Sequence, residues 1–278
     1  MRKLNIPAEK KPFYFFSVLL FITVLYSGYL LNQIGLHMYV NRINGTSIQY
    51  EEFRKMKLPP SRIKKVKKDI DKVEDLTITM LINDYELSEK KNIKTSNLKK
   101  LLPQVKHNEA YQELKKYYYA ILNDIKYFPL PLKENGDSYV TFDDSWYADR
   151  NYGGARKHEG TDLMPEYSIT GLYPIISITD GVVEKIGWLE KGGYRIGIRA
   201  PSGAYFYYAH LESYAEGIKK GDKIKAGQLL GFMGDSGYGP EGTTGMFAVH
   251  LHLGIYIDTP NGELSVNPYY ILLYLQSQ

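Results

Sequence analysis

The chain has no cysteine, which excludes a disulfide framework, a thiolate-held metal and a cysteine nucleophile. Histidine is scarce, with six in 278 residues. Four of these, His158, His210, His250 and His252, fall in the C-terminal half, so any metal must be held there by histidine with Asp or Glu. No His-Glu-x-x-His helix is present, so no glutamate base comes with a ready-made ligand pair. Net charge is only +4, and no basic run carries interleaved base-stacking aromatics, which sets aside nucleic acid as a partner. Tyrosine, in contrast, is abundant at 26. The length allows one or two domains with a real core.

Charge is also missing from Phe13 to Leu31, a run of Phe, Leu, Val, Ile and Tyr about as long as a bilayer-spanning helix. Arg2, Lys3, Lys10 and Lys11 precede it against a single Glu9, which keeps the amino terminus in the cytoplasm. The run exceeds a signal-peptide core, and no small-x-small site follows it. The expected layout is a cytoplasmic tail over 1–12, an uncleaved single-pass transmembrane anchor over 13–36, and everything beyond outside the membrane. Lys and Arg crowd the chain from Arg54 onward, too far from the segment for the charge rule to act strongly.

Residues 37–126 read as a charged, helical extracytoplasmic stalk. Pro59 and Pro60 suit a helix start, and Ile63, Val66 and Ile70 form one stripe among lysines. A second helix is expected from Asn108 to Ile125, with Tyr111, Leu114, Tyr118 and Leu122 on one face. Lys90 to Lys106 between them reads as loop. The lysines are expected to form a solvated face, with a basic arm for anionic envelope polymers as the sharper alternative. Asn44-Gly45-Thr46 is read as a turn signal rather than a glycosylation site. Pro129-Leu130-Pro131 closes the region, and the boundary is placed near Tyr127.

From 127 to 278 short β runs alternate with glycine turns, which predicts a compact antiparallel β domain and, for the whole chain, an α+β class. Pro174 to Thr179, Asp180-Gly181 and Val182 to Leu189 read as a hairpin. Tyr194, Ile196 and Ile198 alternate with polar residues as in a half-buried strand, and Ser202-Gly203 turns it into Ala204 to Leu211. Within the apolar stretch Phe247 to Tyr256, His250 and His252 are spaced i, i+2, which in a strand turns both rings to one face roughly 7 Å apart. His158 and Asp162 are spaced i, i+4, but Gly160 and Pro165 argue against a helix, so a loop entering a strand must bring them together. Glu159, next to His158, would point to the opposite side of extended backbone.

His158-x-x-x-Asp162, Tyr208-Ala209-His210-Leu211, the Gly-Asp-x-Ile-x-x-Gly-Gln run from Gly221 to Gln228, and His250-x-His252, in that order, resemble the lysostaphin-type zinc metallo-endopeptidases of bacterial cell walls. The resemblance covers Tyr127 to Pro268, about half the chain. It implies that His158, Asp162 and His252 ligate one zinc ion and leave a fourth position for water. It further implies that His210 and His250 act in proton transfer, and that Tyr152 helps hold the oxyanion, with Tyr208 or Tyr207 as alternatives. Zinc polarises the scissile carbonyl and acidifies its water, and histidine titrates where both proton steps need it. Ala248-Val249 replaces the family's usual Gly-Pro, which bears on substrate preference rather than on metal.

The function so implied is a membrane-anchored zinc endopeptidase with peptidoglycan as substrate, located at the cell membrane with its catalytic domain outside, and with membrane or envelope proteins as further partners. The alternative is a catalytically silent envelope scaffold or regulator of other wall enzymes. The Gly221 to Gln228 run also resembles a biotinyl or lipoyl carrier, but the turn at Met233-Gly234-Asp235 offers no attachment lysine.

Overall fold

The computed structural model describes residues 7–45, 48, 50–88, 95–151 and 154–278. The first helix, α1 (Lys11–Gly45), is apolar enough from Lys11 to Met38 to cross a membrane by length and composition. Its side chains from Phe13 to Ile34 are largely exposed, whereas Leu36 and Val40 are buried. The helix therefore passes without a break from the apolar segment into a helical layer formed by α2 (Tyr50–Arg54), α3 (Pro60–Lys68), α4 (Val73–Ile82), α5 (Thr95–Val105) and α6 (Glu109–Asn123).

The β part is one antiparallel sheet. Its strands are β1 (Val140–Thr141), β4 (Thr161–Pro165), β5 (Pro174–Ile176), β6 (Gly181–Leu189), β7 (Gly193–Arg199), β8 (Tyr205–Tyr214), β9 (Lys223–Ile224), β10 (Leu229–Met233), β11 (Leu251–Thr259) and β12 (Gly262–Val266). The main path runs β1-β4-β11-β8-β7-β6-β9, with β12 on β11 and β10 between β8 and β5. A small ribbon, β2 (Asp149–Arg150) with β3 (Arg156–Lys157), stands beside it, and α7 (Tyr269–Gln276) closes the chain. The period of two is plain in β11, where Leu251, Leu253, Ile255 and Ile257 are buried while His252 and Tyr256 face a cleft on the other side.

Three expectations are corrected. Residues 37–126 do not stand off as a solvated stalk. Phe53, Met56, Leu58, Ile63, Leu114, Tyr118 and Ile121 share one hydrophobic core with Phe206, Tyr208, Leu251 and Leu253 of the sheet. Lysines surround Ile63 and Val66 in sequence, but both apolar side chains turn inward. The loop expected over Lys90 to Lys106 contains α5, whose Leu101 and Val105 bury against Leu36, Val40, Ile78 and Tyr111; residues 89–94 lie outside the described residues. Finally, β5 and β6 are not a hairpin: β5 pairs with β10, and β6 pairs with β7 and β9. Asp180 instead spends its carboxylate on Lys126 and the Ala226 amide, which tie the chain at the crossing between strands.

Other readings agree. Asn108 caps α6, its side chain accepting from the Tyr111 amide at 2.9 Å. β7 and β8 form the hairpin expected around Ser202-Gly203.

Candidate metal centre

The site is assembled where three strands run side by side. Asp162 on β4 is the register partner of His252 on β11, which in turn is the partner of Ala209 on β8. His158 enters from the loop between β3 and β4. Its amide donates to Ala148 O at 2.9 Å, its carbonyl accepts from Tyr147 N at 2.7 Å, and the residue is 2% exposed. Gly160 makes room for the result: a Cβ there would lie 2.6 Å from His252 Nε2 and 2.5 Å from Leu253 O.

Three donor atoms converge. His158 Nε2 lies 3.0 Å from Asp162 Oδ1 and 3.2 Å from His252 Nδ1, and His252 Nδ1 lies 2.9 Å from Asp162 Oδ1. His158, Asp162 and His252 thus form a group that could hold one metal ion. A tetrahedral ion with bonds of about 2.0–2.1 Å spaces its ligands roughly 3.3 Å apart, close to these separations. The tautomers fit as well. His158 Nδ1 lies 3.0 Å from Ser145 O; donating there leaves Nε2 without a proton and free to ligate. Arg150 Nη2 is 2.6 Å from Asp162 Oδ2 and 3.0 Å from His158 Nδ1. Both groups at the second contact are donors once Nδ1 serves Ser145 O, so we assign the hydrogen bond of Arg150 to the carboxylate. Arg150 holds Oδ2 and leaves Oδ1 to face the two histidines.

His210 and His250 sit beside this group, their ring centroids 4.8 Å apart, with His210 6.0 Å from His252. His250 Nε2 is 3.7 Å from Asp162 Oδ1. Each pins its Nδ1 to a backbone carbonyl, His210 to Ser236 O at 2.8 Å and His250 to Ala248 O at 2.7 Å, so both Nε2 atoms are left for the cleft. Simple alternation along β8 would put His210 on the core side with Phe206 and Tyr208. A bulge corrects this: Tyr194 pairs with Leu211 but Ile196 with Tyr208, and His210 takes a φ of 63°. The bulge is fixed by His210 N donating to Gly192 O and by Gly234 N donating to His210 O, while His250 N donates to Gly234 O. Gly234 so connects the two histidines, and a Cβ there would meet the Glu212 backbone at 2.6 Å.

Electrostatics follow from burial among like groups. Burial alone would raise the Asp162 carboxyl, but the close imidazoles of His158 and His252, with His250 beside them, outweigh it and hold the group well below the usual carboxylate range. Burial lowers His210 strongly, reinforced by His250 and His252, and keeps it neutral. Burial also lowers His252, against the opposing pull of Asp162.

The centre forms one wall of a cleft of about 680 Å³ that also takes in Tyr205, Tyr207, Tyr256, Lys185, Lys191 and Arg195. Tyr152 lies outside the described residues. Of its two alternatives, Tyr208 is buried in the core with its hydroxyl accepting from Ile178 N, away from the site. Tyr207 lines the cleft with its ring 6.0 Å from that of His252, and burial raises its phenol so that it stays a neutral donor. Glu159 keeps its carboxylate 3.8 Å from Arg54. Residues that motif reading passed over are Arg150, Ser145, Ser236 and Phe247, the last with its ring 4.6 Å from His210 and 5.1 Å from His250. Phe247, three residues before His250, carried the only sequence signal among them.

Residues 156–268 match the sequence model of peptidase family M23. The L-Ala--D-Glu endopeptidase of Bacillus subtilis (strain 168) is 44% identical over 142 residues, 51% of this chain and 41% of that protein. Glycyl-glycine endopeptidase ALE-1 of Staphylococcus capitis is 36% identical over 97 residues, 34% of this chain and 23% of that protein. The chain spans less than half the length of these curated relatives. A crystal structure described as a candidate glycyl-glycine endopeptidase lytM from Ruminococcus gnavus ATCC 29149 is 46% identical with a TM-score of 0.73, covering 86% of this chain and 96% of that one.

Proposed function

The chain belongs to peptidase family M23, and on that premise we propose that it is a zinc endopeptidase, held in the membrane by its first helix, that hydrolyses peptide bonds of peptidoglycan stem peptides or cross-links outside the cytoplasmic membrane. The observation that carries this reading is the convergence of His158 Nε2, Asp162 Oδ1 and His252 Nδ1 beside two further imidazoles whose Nε2 atoms face the same cleft.

The three converging residues would hold the zinc ion, which when bound supplies Lewis-acid polarisation of a carbonyl and of a water molecule. His210 and His250 supply the proton path: a neutral imidazole accepts a proton from the attacking water and a protonated one returns it to the leaving amine. Tyr207, kept neutral by burial and lining the same cleft, donates in this reading to the oxygen of the scissile carbonyl. Arg150 orients Asp162, and Ser145 O, Ser236 O and Ala248 O fix three ring tautomers. In this reading residues 1–12 are the cytoplasmic tail and 13–36 the anchor. The unbroken α1 then fixes the cleft at a set distance from the bilayer.

The test uses the full chain in detergent micelles. Metal analysis at neutral pH is expected to give about one zinc per chain, lost in His252→Ala. Incubation with purified cell wall is expected to release new amino termini. His210→Ala should keep its zinc and lose about 10²–10⁴-fold in kcat, the usual contribution of a proton-transfer group. A folded chain with less than about a tenth of an equivalent of zinc would sink the proposal. Zinc and wall bound without new amino termini would favour an envelope scaffold instead.

A further inference from the structure

Cations line the cleft throughout: Arg150, Arg156 and Lys157 from the β2–β3 ribbon, and Lys185, Lys191 and Arg195 from β6, β7 and the turn between them. Among the described residues no ion pair engages Arg195. The contrast with neighbouring Arg199 is sharp, since that side chain is paired with Glu184, Asp258 and Glu263. Arg195 goes further than being unpaired: its Nη1 is buried and has no hydrogen-bond partner. A guanidinium nitrogen removed from water without an acceptor costs free energy, and of the buried, unpartnered side-chain atoms among the described residues only that of Arg195 belongs to a residue lining this cleft.

The register fixes where this nitrogen lies relative to the chemistry. One cross-strand row runs from Asp162 through His252 to Ala209, across the bulge at His210 to Arg195, and on to Gly187. Arg195 is therefore two strand spacings, about 10 Å, from His252. An extended peptide covers that distance in about three residues, and the length of the arginine side chain brings its head nearer still. Between the two ends Tyr205 and Tyr207 form the floor. The Tyr205 hydroxyl lies over Gly197, where a Cβ would come within 1.8 Å of it, and the Tyr207 hydroxyl lies over Gly192, where a Cβ would come within 2.2 Å. Both phenols are raised by burial, Tyr205 to about 12, so both are neutral donors. The Tyr205 hydroxyl and the Arg195 guanidinium thus line the same cleft, and Glu263, also in its lining, lies within reach of Arg199.

We propose that Arg195, assisted by the Tyr205 hydroxyl, is a specificity subsite that binds a free carboxylate of the substrate within a few residues of the scissile bond. The inference rests on the endopeptidase reading above and narrows it. The preferred substrate is an anionic stem peptide, in which an acidic residue flanks the cut, rather than a neutral oligoglycine bridge. A charged carboxylate meets two or more charge-assisted hydrogen bonds here, whereas its amide meets a guanidinium it cannot neutralise.

The experiment uses the zinc-loaded full chain in micelles with three probes: a synthetic L-alanyl-D-glutamyl peptide with its glutamate carboxylate free, the same peptide with that group converted to the carboxamide, and pentaglycine. Binding and cleavage are measured for each. The wild type is expected to prefer the carboxylate peptide by about tenfold or more over the carboxamide, the value of one charge-assisted bond. Arg195→Gln should bring the two within about twofold by raising KM for the carboxylate peptide, with zinc content unchanged. Arg195→Lys should restore part of the preference, which a merely structural arginine would not do. Equal wild-type binding of acid and amide, equal losses on both in a folded Arg195→Gln protein, or preference for pentaglycine would each overturn the subsite. Binding keeps the two readings apart. A chain that selects the carboxylate peptide yet releases no amino termini retains the subsite and loses the hydrolase, and one that cleaves acid and amide alike does the reverse.

Discussion

The helical layer and the sheet are built on one hydrophobic core, yet they reach it by opposite routes. In the sheet, polar and apolar residues alternate one by one, so that the row carrying His252, Tyr207 and Tyr205 faces the cleft while Leu251, Tyr208 and Phe206 face inward. In the helical layer the apolar residues are outnumbered and gathered into stripes, and α6 turns Tyr111, Leu114, Tyr118 and Leu122 into a single buried face. The first arrangement displays chemistry, and the second hides support. That support is directed. Arg54 of α2 is 5% exposed, donates to Ser265 O and Oγ at 2.9 Å, and lies 5.1 Å and 4.7 Å from the ring centroids of Trp146 and Tyr147. Tyr147 holds the backbone of His158. A residue from the layer thus braces the loop that delivers a candidate metal ligand.

If the two regions are one cooperative unit, separating them is the most damaging change. A fragment of residues 127–278 keeps every candidate site residue described but loses the side of the core made by Phe53, Leu114, Tyr118 and Ile121. It is expected to lack a cooperative thermal transition by near-ultraviolet circular dichroism, and a sharp transition near that of the full chain would show that the sheet stands alone. Next in size is Phe53→Ala. Phe53 is fully buried, with its ring 5.1 Å from Tyr118 and 5.7 Å from Tyr117. Emptying that space should cost about 3–5 kcal/mol. Helical and tyrosine signals should then melt together at a lower temperature; helix loss well before sheet loss would break the single-unit view.

The same contrast explains what was legible in the sequence. The donors His158, Asp162 and His252, and the flanking His210 and His250, stood out because their residue types are rare here and their order is specific. The strands around them followed from alternation and glycine turns. The layer was misjudged because Lys64, Lys65, Lys67 and Lys68 dominate the composition of α3, while Ile63 and Val66 decide where it lies. The bulge at His210 left no mark in the sequence, since it depends on Gly192 O and Gly234 N, two backbone groups brought in from the β6–β7 turn and from the residue after β10. Arg150 and Arg195 belong to no motif, and only the folded chain brings one against Asp162 and the other into the cleft. The Asp180-Gly181 hairpin failed for a similar reason: the dipeptide suits a tight turn, but Lys126 and Ala226 compete for the Asp180 carboxylate.

Smaller effects are expected at the polar joints. Arg150→Gln removes the cation on Asp162 Oδ2 from a short, exposed ribbon, so the fold should persist while the protein's affinity for zinc falls about 10–100-fold in chelator competition. Arg54→Met, acting through Tyr147 rather than on a donor, should lower affinity less than Arg150→Gln does. The reverse order would make the layer, not the ribbon, the main brace.

The smallest effect belongs to the seam itself, where Lys126 of the layer meets Asp180 of the sheet. The Lys126 ammonium beside Asp180, aided by the Ala226 amide, holds its carboxyl below the ordinary value. A carboxyl depressed in the folded state adds stability above its unfolded pKa, near 3.9, and that contribution is lost as pH falls through the folded value. The pair is largely exposed, so solvent keeps it under about 1 kcal/mol. Asp180→Asn should therefore lower Tm slightly at pH 7, and the two melting curves should converge near pH 2. A gap that persists at pH 2 would mean that Asp180 acts as a neutral hydrogen-bond acceptor for Ala226 rather than as a charge joining the two regions.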